Sequence, residues 1–255
     1  MGDDTLNTEP VLHIANLHKE YYNPTTLVLS DLSFDLYHED FLCILGPSGC
    51  GKSTLIRCIA GFEKYQGVIQ IKGKDVEGPG TDRIMVFQDF NQLFPWKTVL
   101  NNLTYPLKLN GMTDKNERRE KAEEYLDKVN LLEYKDYYPH QLSGGMKQRV
   151  AIARAMALGS EIVLMDEPFA ALDAMSRNQM QDELIRIKEK EKMTVLFITH
   201  NIQEAISCGN RIMVMGKNGS IIENMKNPIE KPVTPASAGY GELWKHLNQL
   251  LRDNK

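Results

Sequence analysis

The sequence predicts an α/β fold built on a mainly parallel sheet, with an antiparallel β flap and an inserted helical segment. Short apolar runs such as FLCIL (Phe41–Leu45) and TVLFIT (Thr194–Thr199) alternate with helical segments, which is typical of α/β domains. Two early segments, Val11–Leu17 and Val28–Leu36, alternate apolar with polar residues, a pattern that favours strands with one solvated face. From about residue 91 to 156 strand signals are few, so we expect the helical insertion there.

In the first half of the chain, the apolar strand Phe41–Leu45 leads into a glycine-rich loop. A helix, TLIRCIAGF, follows this loop and ends at Gly61. Val68–Lys72 and Asp82–Gln88 are the next predicted strands. Asp114–Val129 is predicted to be an amphipathic helix with Asp114 in its first turn, because its apolar side chains recur at helical spacing: Ala122, Tyr125, Leu126 and Val129.

In the second half, strands and helices alternate again. The run IVLM predicts a buried strand before Asp166, and RIMVM predicts another. The dipeptide Asn218-Gly219 indicates a hairpin turn into the strand SIIE. Three segments are predicted to be helical: Ala174–Glu191, Ile202–Ser207 and, after a proline-containing loop, Leu243–Leu251.

Composition limits the classes of function. The 255 residues are 42% hydrophobic and 25% charged, which suits a globular protein with a substantial core, and the formal net charge is −4. A chain without a basic excess does not predict nucleic-acid binding. No apolar run reaches the roughly 18–20 residues of a membrane span, and the acidic N-terminus does not resemble a secretory signal. We therefore expect an intracellular protein.

The four cysteines do not predict a metal centre. Cys43, Cys50, Cys58 and Cys208 form no CxxC pair, and histidines do not cluster near them, so neither a zinc site nor a disulfide framework is expected. Cys50 lies inside the glycine-rich loop, where we expect it to be open to oxidants and alkylating reagents.

The glycine-rich loop predicts a phosphate site. GPSGCGKST matches the pattern G-x-x-x-x-G-K-[ST], with a buried strand before it and a helix after it. Its glycines let backbone N–H groups converge on phosphate oxygens, and the following helix N-terminus adds positive potential. Lys52 supplies a charge for the terminal phosphates, and Ser53 supplies a hydroxyl for Mg²⁺.

Polar residues follow three other apolar strands. Asp166 is expected to hold Mg²⁺ through water, and Glu167 to orient or deprotonate the attacking water. His200 follows TVLFIT and is a candidate sensor of the γ-phosphate, while Gln88 is a candidate ligand of Mg²⁺ or of the water. The carboxyl ends of parallel strands share one edge of a sheet, and ligands bind at that edge.

A second glycine motif, LSGGMKQR, opens another predicted helix. Ser143 and the N–H groups of that helix are suited to phosphate. However, no lysine follows its glycines as Lys52 follows those of the first loop, and no buried strand precedes it. The motif therefore does not form a second complete nucleotide site.

The ordered set GPSGCGKST, Gln88, LSGGMKQR, IVLMDE, ALD and His200 resembles the ATP-binding cassette (ABC) family over roughly residues 11 to 225. The resemblance implies a P-loop NTPase (RecA-like) fold, with an ATPase domain over 11–225 and a helical subdomain inserted at about 91–156. Residues 226–255 then form a C-terminal loop and helix.

The family's motifs imply roles for individual residues. Glu167 would be the catalytic base, His200 the switch histidine, and Gln88 the Q-loop glutamine. Mg²⁺ would be held by Ser53, Gln88 and Asp166. Tyr21 would stack on adenine, with Tyr22 a close rival. The other residues implied to bind ATP are Gly46, Pro47, Ser48, Gly49, Cys50, Gly51, Lys52, Ser53, Thr54, Ser143, Gly144, Gly145 and Asp173.

Three positions depart from the family pattern. Ala170 and Ala171 stand where the family often has serine, and Asn201 replaces the usual aspartate after the histidine. Because His200 itself makes the implied contact with the nucleotide, the change at Asn201 leaves that role in place.

The resemblance implies the ATP-hydrolysing subunit of a membrane importer, working as a homodimer or paired subunit with two ATP at the interface. Ser143 and Gly145 would contact ATP held by the opposite subunit. The pieces GPG…DR and FPW are similar to the branch that imports nitrate, sulfonates and taurine. Transmembrane permease subunits would dock near Gln88–Trp96; the alternative for Phe94 and Trp96, somewhat less favoured, is a place in the subdomain core.

A solute-binding protein, periplasmic or lipid-anchored, would act indirectly, and the chain would lie at the cytoplasmic face of the membrane.

Two alternative functions remain. One is a soluble ATPase of the same family without a membrane partner, which a single cassette without sustained heptads disfavours. The other is a nucleotide-binding regulatory module without turnover, which the presence of Lys52, Asp166, Glu167 and His200 disfavours.

Overall fold

The computed structural model describes residues 9–22, 25–87, 92–170 and 172–254. The chain folds as two compact units. The terminal unit contains the chain up to residue 80 and from residue 192 onward, and the central unit contains residues 81–191. The domain limits drawn from the sequence, 11–225 and 226–255, stay a prediction.

The elements follow one another along the chain in this order. The strands are β1 (Leu12–Tyr22), β2 (Thr25–Leu36), β3 (Phe41–Leu45), β4 (Gln66–Ile71), β5 (Lys74–Asp75), β6 (Arg83–Val86), β7 (Ile162–Asp166), β8 (Val195–Thr199), β9 (Arg211–Met215) and β10 (Ile221–Lys226). The helices are α1 (Lys52–Ile59), α2 (Val99–Leu109), α3 (Lys115–Lys128), α4 (Gly144–Ala157), α5 (Ala174–Glu191), α6 (Ile202–Cys208) and α7 (Tyr240–Asp253).

An antiparallel sheet of order β2-β1-β4-β5 forms the predicted flap in the terminal unit. Strand β1 extends to Tyr22 and not only to Leu17. Asn16 has a φ of 50°, and the pairing register of β1 with β2 shifts between Ile14 and Leu17. Such an irregularity interrupts the strict alternation that a sequence pattern detects, so the second half of the strand was not predicted.

The terminal unit also contains strands in the order β10-β9-β3-β8. Strand β3 is parallel to both β8 and β9, whereas β10 returns antiparallel to β9 after a turn at Asn218 and Gly219. All residues of β3 and β8 are buried, and the rings of Phe41 and Phe197 lie 5.7 Å apart between their centroids. The continuous apolar runs therefore form buried strands, as predicted.

In the central unit, β6 and β7 are parallel, with Val86 opposite Met165 at their carboxyl ends. Helices α2, α3 and α4 lie between these strands in the chain and pack on one another. Asp114 caps α3 by accepting hydrogen bonds from the N–H groups of Asn116 and Glu117, at 2.7 and 2.9 Å. It is thus the residue before the first turn and not a member of it, because capping requires a non-helical backbone.

Helix α7 begins three residues earlier than the sequence predicted and buries Tyr240, Leu243 and Leu247. It packs against α6 and β9 in the terminal unit. Within the described residues, no helix is both long enough and apolar enough to pass through a bilayer.

Candidate nucleotide-binding site

Two glycines of the loop between β3 and α1 are required by its geometry. A Cβ on Gly46 would lie 2.7 Å from the carbonyl oxygen of Met215. Gly51 has a φ of 107°, and a Cβ there would lie 2.8 Å from a methyl carbon of Leu29 and 2.9 Å from the carbonyl oxygen of Val28. A larger residue at either position would push the loop away from the sheet, so the glycine spacing of the motif is a steric requirement.

Helix α1 begins at Lys52, two residues before the predicted start, because the left-handed Gly51 occupies the position that precedes the first turn. No side chain of a described residue caps this helix, and its first turn contains no acidic residue. The N-terminus of α1 therefore offers backbone N–H groups and a partial positive charge to an anion.

The ammonium group of Lys52 lies inside the loop. The side chain is only 5% exposed, and Nζ donates to the carbonyl oxygens of Gly46 at 2.8 Å and Pro47 at 2.9 Å. Four other loop residues implied to bind ATP lie nearer the surface: Ser48, Gly49 and Ser53 are exposed, and Thr54 is half-buried. A cation is thus held under a rim of small polar residues, an arrangement suited to a phosphate chain.

Cys50 does not have the expected exposure. Its side chain is buried, with Sγ 3.9 Å from the Nζ of Lys52. Burial raises the pKa of the thiol above its usual value, against the opposing effect of the Lys52 charge. The expectation of an open, reactive cysteine was wrong, because its carbonyl oxygen accepts a hydrogen bond from the N–H of Gly219 while its side chain turns inward.

His200 lies at the same sheet edge as the loop. Strands β3 and β8 pair in parallel register, with Leu45 opposite Thr199, so Gly46 and His200 each follow the end of one of two neighbouring strands. The His200 side chain is exposed. The predicted convergence of these two residues at one edge is therefore present in the terminal unit.

Tyr21 and Tyr22 both line a groove of about 550 Å³ in the terminal unit. The Nζ of Lys19 lies 4.6 Å from the centroid of the Tyr21 ring. Lys19 lies opposite Leu29 in the β1–β2 register, and Leu29 contacts Gly51, so this face of β1 is directed toward the start of α1. The pairing register shifts between Lys19 and Glu20, so alternation along β1 does not carry this face on to the two tyrosines. They differ in exposure: Tyr21 is half-buried, whereas Tyr22 is 77% exposed.

Asp166 and Glu167 lie at the end of β7 in the central unit, and both are half-buried. Glu167 has a φ of 45°, a left-handed conformation that is uncommon for a residue with a side chain. Its carbonyl oxygen accepts a hydrogen bond from the N–H of Ala170 at 3.1 Å. Backbone strain of this kind clusters at functional sites, and here it turns the chain sharply at the strand end.

The second glycine motif begins α4. Ser143 caps the helix by accepting a hydrogen bond from the N–H of Met146 at 3.3 Å. A Cβ on Gly145 would lie 3.3 Å from the sulfur of Met180 on α5, so glycine permits close packing there. Ser143, Gly144 and Gly145 line a polar groove of about 470 Å³, together with Lys147 and Asp173.

Asp173 caps the start of α5. Its Oδ1 accepts hydrogen bonds from the N–H groups of Met175 at 3.0 Å and Ser176 at 3.1 Å. Hydrogen bonding from Ser176 lowers the pKa of the Asp173 carboxyl below its usual value. The carboxylate thus has a structural partner whatever else it binds.

Two residues named in the sequence analysis, Gln88 and Ala171, lie outside the residues that the structure describes.

The aromatic residues near the proposed docking region differ in burial. Trp96 is 71% exposed and is therefore not part of a subdomain core. The half-buried Phe94 ring packs edge-on against Tyr105, with 5.5 Å between ring centroids.

Sequence reasoning missed a buried network beside His200. The Thr199 hydroxyl donates to the buried carboxylate of Glu204, while Asn201 caps α6 by accepting from the N–H of Gln203 at 2.9 Å. Asparagine caps a helix as well as aspartate does, which accounts for the departure from the family pattern at Asn201. The spacing Asn-x-x-Glu, a capping-box pattern, could have singled out Glu204.

Comparison with known proteins identifies the family. Residues 29–170, more than half of the chain, match the ABC transporter family model. An uncharacterised ABC transporter ATP-binding protein of Methanocaldococcus jannaschii is 46% identical over 95% of this chain and 91% of its own length. The taurine import ATP-binding protein TauB of Rhizobium johnstonii is 47% identical over 80% and 77%, and the nitrate import ATP-binding protein NrtD of Synechocystis is 41% identical over 83% and 80%.

Solved structures show the same fold. CbiO1 of Clostridium perfringens, part of the ABC transporter complex CbiONQ, has a TM-score of 0.78 and 27% identity, covering 86% of this chain and 89% of its own. The dimeric ATP-binding cassette MJ0796 bound to ADP and phosphate has a TM-score of 0.72 and 32% identity, covering 85% and 98%. The predicted P-loop NTPase fold is thereby confirmed, and the chain belongs to the ABC transporter family as an ATP-hydrolysing ABC ATPase.

Proposed function

We propose that this chain is the ATP-binding and ATP-hydrolysing subunit of an ABC importer for a small solute such as taurine, another sulfonate or nitrate. The observation that supports this most directly is the phosphate loop. Its steric glycines, the N-terminus of α1 and the enclosed ammonium group of Lys52 form a site for a polyphosphate, and His200 lies at the same sheet edge.

The nucleotide is bound mainly by the terminal unit. Lys52 shifts from the loop carbonyl oxygens to the terminal phosphates, and the N–H groups of the loop hold the phosphate chain. Tyr21 stacks on adenine, because its half-buried ring lines the groove and Lys19 covers one side of the ring, which leaves the other side for the base.

The residues proposed for Mg²⁺ fit a hard cation. The Ser53 hydroxyl, the Asp166 carboxylate and the Gln88 amide all offer oxygen ligands, as Mg²⁺ prefers. When bound, Mg²⁺ would neutralise charge on the phosphates. Glu167 accepts a proton from the attacking water, and His200 donates a hydrogen bond to the γ-phosphate.

The second glycine motif acts on the nucleotide of a second copy. Ser143, Gly144, Gly145 and Asp173 border a polar groove, and the motif has no lysine of its own. We propose that it completes the ATP site of the opposite subunit, whose Lys52 provides the missing charge. The dimeric state of the cassette MJ0796 supports this arrangement.

Transport requires membrane partners. We propose that permease subunits dock on the region Gln88–Trp96, which places this chain at the cytoplasmic face of the membrane, and that a solute-binding protein acts through the permease. The exposed Trp96 supports docking over a role in the core. The import proteins TauB and NrtD support the solute class, and the net charge of −4 does not favour a nucleic-acid partner.

The test is the ATPase activity of the chain assembled with its permease. We expect release of phosphate that increases when the solute-binding protein is added with taurine, another sulfonate or nitrate. Hydrolysis unaffected by every one of these solutes would contradict the solute class. Full hydrolysis by the chain without a permease, together with no binding to any membrane protein expressed with it, would contradict the importer assignment.

A further inference from the structure

We propose that Thr199 and Glu204 are positioning residues for His200: a buried carboxylate holds the backbone turn that presents the histidine. The inference rests on the proposed role of His200 in hydrolysis. It concerns two residues to which neither the motifs nor the comparisons assign a role.

The Thr199 hydroxyl makes two hydrogen bonds at once. Thr199 is 1% exposed, and its Oγ1 donates to Oε2 of Glu204 at 2.5 Å. The same oxygen accepts a hydrogen bond from the N–H of Asn201 at 3.0 Å. A hydroxyl has one proton to donate and lone pairs to accept with, so both capacities are in use here.

These two bonds fix the chain on both sides of His200. Thr199 precedes the histidine and is anchored in β8, opposite Leu45 of β3. Asn201 follows it, and its backbone N–H is bound to the same hydroxyl oxygen. The His200 side chain is exposed, yet the peptide units that flank it are tied to one buried atom. An exposed side chain on a fixed turn is pre-organised for a contact that must form at a defined distance.

Helix α6 fixes the carboxylate in turn. Asn201 accepts two hydrogen bonds at the start of this helix, its Oδ1 from the N–H of Gln203 at 2.9 Å and its carbonyl oxygen from the N–H of Ala205 at 3.2 Å. Glu204 lies in the first turn of α6 and is only 5% exposed. The hydrogen bonds of Asn201 at the start of α6 therefore set the position of the Glu204 carboxylate.

Burying the Glu204 carboxylate costs free energy that apolar packing does not offset. Removing a charged group from water is unfavourable unless hydrogen bonds compensate for it. A hydroxyl bonded to an ionised carboxylate forms a shorter and stronger bond than one between neutral groups. We infer that Glu204 strengthens the hold on the Thr199 hydroxyl and so restricts the turn that contains His200.

The test uses steady-state hydrolysis by the ATPase assembled with its permease. Thr199→Val keeps the shape of the side chain and removes the hydroxyl. We expect kcat to fall about tenfold, with KM for ATP changed by less than about twofold, since a hydrogen bond to a charged group contributes on this scale. Thr199→Ser keeps the hydroxyl and should restore most of kcat. Gln203→Ala, at an exposed position on α6, is the matched control and should leave kcat unchanged.

A double-mutant cycle with His200→Ala separates positioning from general stability. If Thr199 acts through His200, the double variant should be no slower than His200→Ala alone, to within about twofold. A further tenfold loss in the double variant, or a wild-type kcat in Thr199→Val, would overturn the inference. Should Thr199→Val fail to fold, Glu204→Gln provides the same cycle, with an expected loss of about threefold because its amide oxygen still accepts the bond.

The proposed function fails in a different way. A wild-type kcat in His200→Ala would overturn the role of His200, whatever Thr199→Val does. If His200→Ala is impaired and the cycle is additive, the role of His200 stands and only the positioning by Thr199 and Glu204 is wrong.

Discussion

Leu45 and Thr199 lie opposite one another on the parallel strands β3 and β8, at the last residue of each strand. The chain after Leu45 enters the phosphate loop at Gly46, and the chain after Thr199 continues to His200. A pairing of two buried residues thus fixes which polar residues share the edge of the sheet.

Lys52→Met should weaken ATP binding by about 10- to 100-fold, because it removes the charge proposed for the terminal phosphates. Methionine retains an apolar stem, which suits the buried position of Lys52. Titration with a fluorescent ATP analogue measures the affinity. Lys74→Met, on the exposed strand β5, is the matched control. Equal affinities for the Lys52 variant and the wild type would contradict the assignment of Lys52.

Glu167→Gln should reduce kcat by roughly 100-fold or more and leave ATP affinity unchanged, because the amide cannot accept the proton of the attacking water. The two side chains have the same size, so the left-handed backbone at Glu167 is retained. Phosphate release and nucleotide binding are measured on the same preparation. Glu189→Gln, at an exposed position on α5, should behave as the wild type. Normal turnover by Glu167→Gln would show that another group is the base.

Ser143→Arg should leave ATP binding by the monomer intact and abolish hydrolysis that depends on the dimer. The substitution also removes the cap of α4, which lowers the free energy of unfolding by about 0.5–2 kcal/mol. Thermal unfolding, equilibrium binding and phosphate release measure the three effects.

Thr98→Ala is the control for the loss of a cap. Thr98 caps α2 by accepting from the N–H of Asn101 at 3.2 Å, so its removal should lower stability by a similar amount without affecting hydrolysis. If both variants lost activity equally, lower stability and not the second glycine motif would explain the result.

Cys50 should react slowly with iodoacetamide at about pH 7. The raised pKa of its buried thiol leaves less of the reactive thiolate at neutral pH than an ordinary cysteine has, and the rate should increase as the pH rises. Cys58 should be slow for the same reason, since burial raises the pKa of its thiol to about 11. Mass spectrometry of native and guanidinium-unfolded protein measures the labelling of each cysteine. Rapid labelling of native Cys50 that ATP prevents would show that the thiol is accessible after all.

The stabilisation of α5 by Asp173 should depend on pH. The folded-state pKa of this carboxyl is lowered, so its stabilising effect is present above the unfolded pKa of about 3.8 and is lost as the pH falls through the folded pKa. The difference in Tm between the wild type and Asp173→Ala should therefore be clear near pH 7 and shrink below about pH 4.

Asp173→Asn provides the matched control. Its amide oxygen can accept the same two N–H groups, so it should retain part of the stabilisation but not its dependence on pH. A difference between wild type and Asp173→Ala that stays constant down to about pH 3 would show that the charge of the cap is unimportant.

The sequence predicted much of the site because its residues are close together in the chain. The loop that begins at Gly46 and includes Lys52 needs only a strand before it and a helix after it, and both are local patterns. The strand ends at Asp166 and His200 were also predicted, since continuous apolar runs stop there. The start of α1 was misplaced by two residues because the left-handed Gly51, and not the first apolar residue, determines where the helix begins.

Tertiary contacts decided which side chains of the site are buried and which are exposed. Cys50 and Ser48 are separated by one residue in the same loop, yet the cysteine is buried and the serine exposed, because the backbone of Cys50 is bonded to Gly219. Tyr21 and Tyr22 differ in exposure, since the Tyr21 ring is half-buried beside Lys19 and Tyr22 is 77% exposed. The two tyrosines are adjacent and chemically identical, so the sequence could not distinguish them.

The sequence by itself determined the α/β class, the family and the polar residues that end the strands, since each follows from a pattern within a short segment. Only the tertiary structure decided that the buried carboxylate of Glu204 binds the Thr199 hydroxyl beside His200, and that the Thr199 strand pairs with β3. The physical reason is that hydrogen bonds and strand pairing depend on distances between atoms in space, whereas a sequence pattern specifies only the period and polarity of each segment.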